Sequence, residues 1–327
     1  PNRSNRRSPA VTTHLTDSPE DAAAYIRRGQ TVAFPTETVY GLGADAFDPD
    51  AVQQIFAAKG RPSDNPLIVH IADRAQVDDL AASVPEAARV LMDRFFPGPL
   101  TLILPRHPDV PSVVTAGLDT VGVRMPDHPV AQRFLAACGT PVAAPSANRS
   151  GRPSPTTWQA VQEDLGGRIP CILQGGRTRA GLESTVVDAT TTRPVVLRPG
   201  AITLDELHAV VPDVQGPATH GDGPSRSPGT KHRHYAPSAR VCLVDTPADA
   251  VPDATHAYIG LEAPPQREAF GRVHICPSVQ AYAHALFHVF RASEAAGCTT
   301  IYCQRVPDTG LGEALMDRLR RAASATA

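Results

Sequence analysis

Phe34-Pro35-Thr36-Glu37-Thr38-Val39-Tyr40-Gly41-Leu42-Gly43 is the stretch whose reading decides the fold. An apolar strand is expected over Thr31 to Pro35. Gly41-Leu42-Gly43-Ala44-Asp45-Ala46 satisfies the permissive G-x-G-x-x-A spacing of a dinucleotide turn. Pro35-Thr36-Glu37-Thr38, however, interrupts the strand that such a turn must follow, so a dinucleotide fold is disfavoured. On the N-terminal side, Ser18 predicts the cap of a helix from Pro19 to Arg28, stopped by Gly29. On the C-terminal side, Asp48-Pro49 opens a helix with Val52, Ile55 and Phe56 on one face and Gly60 as its stop.

Further along, strands are predicted at Leu67 to Ile71, Leu100 to Leu104, Thr120 to Arg124, Val142 to Ala144, Cys171 to Leu173, Thr185 to Asp188 and Val195 to Arg198. Helices are predicted at Glu86 to Phe95, from Asp127 to Cys138, and from Ser154-Pro155 to Leu165. Thr203 and Glu206 make a capping box. This order lacks clean β-α-β alternation and predicts one large mixed-sheet domain over residues 10–208. Residues 209–238, rich in Pro, Gly, Ser and His, are too long for an ordinary connection and read as a linker or an ordered functional loop. Strands at Ala239 to Val244, Ala257 to Gly260, Arg272 to Ile275 and Thr299 to Gln304, with helices from Val279 to Ala296 and from Leu311, predict a smaller α/β domain over residues 239–327.

Composition narrows the function classes. The chain has 327 residues, 42% hydrophobic and 20% charged, with 31 Lys+Arg against 33 Asp+Glu and a net charge of −2. A strongly basic nucleic-acid coat is excluded as the main feature. No apolar run approaches the ~18 residues of a membrane span. Pro1 to Pro9, with Arg3, Arg6 and Arg7, lacks the apolar middle of a secretory signal and is expected to be a flexible tail. The six scattered cysteines form no C-x-x-C pair and suggest reduced thiols in a cytoplasmic protein.

Phosphate-loop, zinc-protease and nucleophile-elbow motifs are all missing from the sequence. His232 and His234, flanking Arg233, are a weak metal candidate. What remains is a set of cations, hydroxyls and amides at element ends. Lys59, Arg61 and Asn65 lie between Gly60 and two prolines. They suit either a helix-terminal cation pair or a stiff anion cradle. Ser146 and Asn148 follow a short strand, as an ordinary turn or a ligand site. Arg124 and Arg198 each end an apolar strand, as solvated caps or anion ligands. His70 sits inside an apolar run, where a core role is the commoner one. Ser184 is equally open.

Taken together these residues resemble the YrdC-like family. Its opening signature is matched by Phe34 to Gly43, its K-x-R and S-x-N signature by Lys59 to Pro62, Asn65-Pro66-Leu67 and Ser146-Ala147-Asn148, and its later segments by Glu183 to Asp188 and Leu197 to Gly200. Ser227-Pro228-Gly229 through His234-Tyr235-Ala236-Pro237 resembles the linker of the long, two-domain members. The resemblance implies an α/β chain: a YrdC-like, α+β-like mixed twisted sheet with a smaller Rossmann-like C-terminal domain. It implies a nucleotidyltransferase that makes L-threonylcarbamoyladenylate and pyrophosphate from L-threonine, bicarbonate or CO2, and ATP. The product would pass to a separate transferase complex for tRNA threonylcarbamoyladenosine modification, with no stable nucleic-acid binding and no membrane. Carried over by motif, Thr36, His70, Arg124, Ala144 and Ser184 would hold threonine. Lys59, Arg61, Asn65, Thr120, Ser146, Asn148, Ser154, Arg198 and Tyr235 would surround ATP, with Lys59 and Arg61 the catalytic cations. Tyr235 would close as a lid, and Mg2+ is expected with ATP without an assigned protein ligand. The alternatives are an RNA-binding or ribosome-maturation module on the same fold, and a carbamoyl-transfer module of the hydrogenase-maturation type.

Overall fold

The computed structural model describes residues 11–217 and 235–325. The expected N-terminal tail, and the segment holding His232 and His234, lie outside the described residues. In chain order the first part contains β1 (His14–Thr16), α1 (Pro19–Ile26), β2 (Val32–Phe34), β3 (Gly41–Asp45), α2 (Pro49–Lys59), β4 (Ile68–His70), α3 (Val77–Leu80), α4 (Glu86–Phe95), β5 (Leu100–Pro105), α5 (Ser112–Thr115), β6 (Thr120–Arg124), α6 (Pro129–Cys138), β7 (Val142–Ala144), α7 (Trp158–Leu165), β8 (Cys171–Leu173), β9 (Thr185–Asp188), β10 (Val195–Arg198) and α8 (Leu204–His208). The second contains β11 (Arg240–Val244), β12 (His256–Gly260), β13 (Arg272–Ile275), α9 (Val279–Ala295), β14 (Thr300–Gln304) and α10 (Leu311–Ser324).

The large sheet runs β1-β8-β2-β3-β7-β4-β6-β5-β9-β10 and mixes parallel pairs, such as β4 with β6, with antiparallel ones, such as β4 with β7. The small sheet runs β11-β14-β12-β13 and is parallel throughout. Mixed α/β architecture with a second α/β unit is what the sequence predicts.

Strand alternation separates the two faces of the large sheet. Val69 of β4, Val121 and Val123 of β6, Ala143 of β7 and Leu100, Leu102 and Leu104 of β5 enter the main apolar cluster with α2 and α4. The intervening Ile68, His70, Arg124 and Ala144 therefore point to the opposite face, where they line a cavity. Beside it, Phe34 and Val142 pack with Phe134 of α6 and Ile26 of α1.

The glycine spacing that suggested a dinucleotide turn has a packing cause. Gly43 lies in β3, antiparallel to β2, and a Cβ there would fall 2.5 Å from Val142 Cγ1 and 2.9 Å from the Phe34 ring. Two predicted helix starts move. Thr157, not Ser154, caps α7, and its side chain accepts from the Ala160 amide. His128 caps α6, with Pro129 at the first helical position. Strand β1, parallel to β8, was not foreseen, because two of its three residues are exposed.

Candidate active site

The cavity is lined by Thr36, Arg61, His70, Arg124, Ala144, Ser146, Ser184, Arg198 and Tyr235, together with Thr38, Val39, Gly41, Ile68, Pro145 and Glu183. It has room for a few waters about its buried polar groups. The register shows how distant segments meet there. His70 lies beside Arg124 across the β4–β6 pair, Ile68 opposite Ala144 across β4–β7, and Gly41 bridges Ser146.

Thr36 shapes the turn after β2. Its Oγ1 donates to Val39 O (2.7 Å) and accepts from the amides of Thr38 and Val39. Arg124 and Glu37, both almost fully buried, touch at 2.7 Å (Nη2 to Oε1), yet neither atom is in hydrogen-bonding alignment with a described partner. Buried polar atoms left in this state are rare in proteins and mark capacity for a ligand. Nδ1 of His70, Nε of Arg61 and both side-chain polar atoms of Asn65 are in the same condition. Burial, then the Arg124 charge, holds His70 down to about 3, so the ring is neutral at physiological pH.

The cations are crowded and buried. Arg61 Nη2 donates to the carbonyls of Asn65 (3.3 Å) and Pro66 (3.2 Å). Arg198 donates through Nε and Nη2 to Ser184 O and through Nη2 to Ser184 Oγ, which also shares a hydrogen bond with Thr101 Oγ1 (2.8 Å). Burial pushes Arg61 down to about 10 and lowers Arg198 as well. Lys59 does not line the cavity. Its Nζ reaches behind the Ser146–Asn148 turn and donates to the carbonyls of Ser146 (2.6 Å) and Asn148. Burial first, then Arg61, holds it well below the ordinary ammonium value. Asn148 accepts from Ser146 Oγ and donates to Arg149 O and Arg152 O, so it too buttresses the turn.

Ser154 stands behind the wall, donating to Glu183 Oε1 (2.6 Å). Thr120 is not brought to the cavity. It begins the strand that Arg124 ends, about 13 Å away at strand rise.

Three contributors escaped the sequence reading. Glu37 and Glu183 sat unremarked inside the quoted motifs. Arg318 comes from α10 of the second unit and is completely buried. Its Nε donates to Glu183 Oε2 (2.8 Å), its Nη2 to Pro199 O (3.1 Å), and its guanidinium lies 5.2 Å from the Tyr235 ring centroid. Burial opposes its charge, but Tyr235, Glu183 and Asp317 outweigh that, and its value is raised. The signal was available, since Arg318 lies on the stripe of Leu311, Leu315 and Ala322.

Tyr235 is buried and stacked on Phe287 of α9 (5.5 Å, 26°). Its φ of 65° is left-handed, which costs a non-glycine residue about 1–2 kcal/mol. Such strain persists where packing over-determines it. The units are further joined by Arg291 of α9, which pairs with buried Asp164 of α7 (2.8 Å), itself paired with Arg152. Glu294 accepts from Arg152 (2.8 Å) and from the Ser238 amide (3.1 Å).

The Sua5/YciO/YrdC family model, described as telomere recombination, matches residues 24–200, and the model described as threonylcarbamoyl-AMP synthase, C-terminal domain, matches 202–324. A threonylcarbamoyl-AMP synthase of Pyrococcus abyssi is 47% identical over 314 residues, covering 92% of each chain. One of Bacillus subtilis is 44% identical over 318 residues, again covering 92% of each. The crystal structure of P. abyssi Sua5 complexed with L-threonine superposes with a TM-score of 0.87 at 43% identity, covering 97% of this chain and 98% of that one. These matches, spanning both units of the chain, show that it belongs to the Sua5/YciO/YrdC family.

Proposed function

We propose that the chain is an L-threonylcarbamoyladenylate synthase, a nucleotidyltransferase that condenses L-threonine, bicarbonate or CO2, and ATP into threonylcarbamoyl-AMP and pyrophosphate. The product would supply tRNA threonylcarbamoyladenosine modification. The observation that carries this reading is the convergence of three buried guanidinium groups, Arg61, Arg124 and Arg198, on one cavity that also presents Thr36, His70, Ser146 and Ser184. The names of the relatives and the threonine complex of P. abyssi Sua5 support it.

The chemistry explains the residue types. Threonine's amine must form an N–C bond to the one-carbon donor, releasing a proton if it adds across a C=O of CO2 or water if it displaces the hydroxyl of bicarbonate. A carbamate oxygen then attacks the α-phosphorus of ATP, and the bond to the β-phosphate oxygen breaks to release pyrophosphate. Two anions must meet. Cations fixed and desolvated in advance stabilise that encounter and the charge growing on the leaving group. Arg124, with its unaligned Nε and Nη2, suits the threonine carboxylate, and Glu37 beside it suits the amine. Neutral His70 and the small Ala144 complete that end. Arg61, Ser146 and Arg198 suit the phosphates, while Lys59, Asn65 and Asn148 shape and charge the turn around them.

Mg2+ would accompany ATP as counter-ion of its phosphates. Among the described residues no group of three His, Cys, Asp or Glu side chains could cage a metal, and Glu183 already takes Ser154 and Arg318. The residues therefore do not fit a dedicated protein-held ion. Tyr235 would close over bound ATP as a lid, which suits protection of a labile mixed anhydride. Six free cysteines accord with a reducing, cytoplasmic compartment.

The test is incubation with ATP, threonine and 13C-bicarbonate. Pyrophosphate forms only when threonine is present, and the adenylate carries the label. Pyrophosphate release that ignores threonine would refute the assignment.

A further inference from the structure

A second groove, of about 340 Å3, lies where the two units meet, away from Arg61 and Arg198. Three segments supply its walls. Strand β13 contributes Arg272 and His274, two residues apart and so on one face. Helix α9 contributes His284 and His288, one turn apart. Arg177 arrives from the loop after β8, where its Nη2 donates to His284 O (3.3 Å), and the His284 ring is hydrogen-bonded to Thr178 O (2.9 Å). The rest of the lining is mostly apolar: alanines of α9, Val289, Val273 and Tyr258.

Among the described residues no acidic side chain lines this groove, and neither arginine is ion-paired. Burial, followed by Arg177 and Arg272, holds His274 below the ordinary imidazole value. His288 is lowered by burial and then by Arg177, His274, Arg272 and His284. Every charged group among the described residues that acts on these rings is thus positive. Like charges from three separate segments converge without a counter-charge, an arrangement that a bound anion stabilises.

We propose that this groove is a binding site for a small phosphorylated anion, held between the Arg177 and Arg272 guanidinium groups with His274 and His288 as further donors. One carboxylate cannot neutralise two guanidinium groups, whereas a phosphate or oligophosphate group can, and it matches their planar fork. The cations ring a pit rather than forming the extended stripe that tracks a nucleic-acid backbone. Anion binding raises the imidazole values, so protons are taken up and affinity grows as pH falls.

The experiment follows the His274 and His288 ring signals of the full chain by NMR during titration with inorganic pyrophosphate, inorganic phosphate and AMP in turn. Single His→Gln variants assign the signals. Pyrophosphate shifts both rings saturably and moves their titration upward. Arg177→Gln and Arg272→Gln, both at exposed positions, each weaken binding about tenfold or more. Arg61→Gln leaves the effect intact, which separates this groove from the reaction cavity and its fate from that of the synthase reading. Tighter binding of AMP than of pyrophosphate identifies a nucleotide as the ligand, and the reverse an inorganic one. Rings that do not respond at millimolar pyrophosphate, or a response unchanged in Arg272→Gln, would overturn the proposal. So would a short RNA that moves the rings with steep salt dependence while pyrophosphate leaves them still.

Discussion

Replacing Arg318 with Met keeps an unbranched side chain inside α10 but deletes its charge and every donor. Glu183, 7% exposed, then retains only Ser154 among the described hydrogen-bond partners of its carboxylate. Pro199 O loses a 3.1 Å donor, and Tyr235 loses the cation beside its ring. Removing one member of a buried ion pair costs about 3–5 kcal/mol, chiefly because the surviving charge is stranded. That account carries its own control. Glu183→Gln in the Arg318→Met background removes the stranded charge and should restore about 2 kcal/mol, a non-additivity typical of contacting residues. Urea denaturation of the wild type, both single variants and the double variant measures the cycle. Pyrophosphate release, read in parallel, should fall about tenfold or more for Arg318→Met, because Glu183 and Tyr235 line the cavity. A loss under about 1 kcal/mol, or single effects that sum to the double within about 0.5 kcal/mol, would show that α10 does not support the active-site wall.

Three further outcomes are expected. His70 titrates near 3 when folded against 6.5 as its ordinary value, so its contribution is fully present above about pH 6.5 and is lost as pH falls toward 3. At pH 5 this amounts to about 2 kcal/mol. Denaturation midpoints of the wild type and His70→Gln at pH 8 and 5 check it, and an equal acid loss in both would contradict it. Lys59 is held below its ordinary value by burial, and nearby phosphates favour its charged form. ATP binding should therefore take up a proton wherever Lys59 is partly neutral, seen as buffer-dependent heat in calorimetry across a pH series and absent in Lys59→Met. Arg124→Lys should weaken threonine binding about tenfold or more while leaving ATP affinity within about twofold, since an ammonium cannot reproduce a two-pronged carboxylate grip.

Most of the large sheet was legible because its strands are short apolar runs between turn residues. Val142–Ala144, Thr185–Asp188 and Val195–Arg198 appear where expected. Strand β3 was hidden by its glycines, which read as a loop motif until Val142 and Phe34 are seen against Gly43. Ser154-Pro155 looked like a helix start because Ser-Pro usually is one, yet its hydroxyl is committed to Glu183. Of the site, the residues carried on continuous motifs were readable, and the cavity gathers nine of them. The division into lining residues and supports was not. The bonds of Lys59 to the Ser146 and Asn148 carbonyls, which tie it to that turn, are visible only in the structure. The burial of Arg318 is signalled by its place on the apolar stripe of α10, but its partner Glu183 lies 135 residues away, and no local spacing encodes that contact.

Calorimetric titration of ATP with and without saturating threonine, and of threonine with and without ATP, tests most directly whether one cavity seats both substrates. One molecule of each binds, the second no more weakly than the first. Arg124→Gln abolishes threonine binding alone and Arg198→Gln nucleotide binding alone. Mutual exclusion of the two ligands, or threonine binding indifferent to Arg124, would contradict the account.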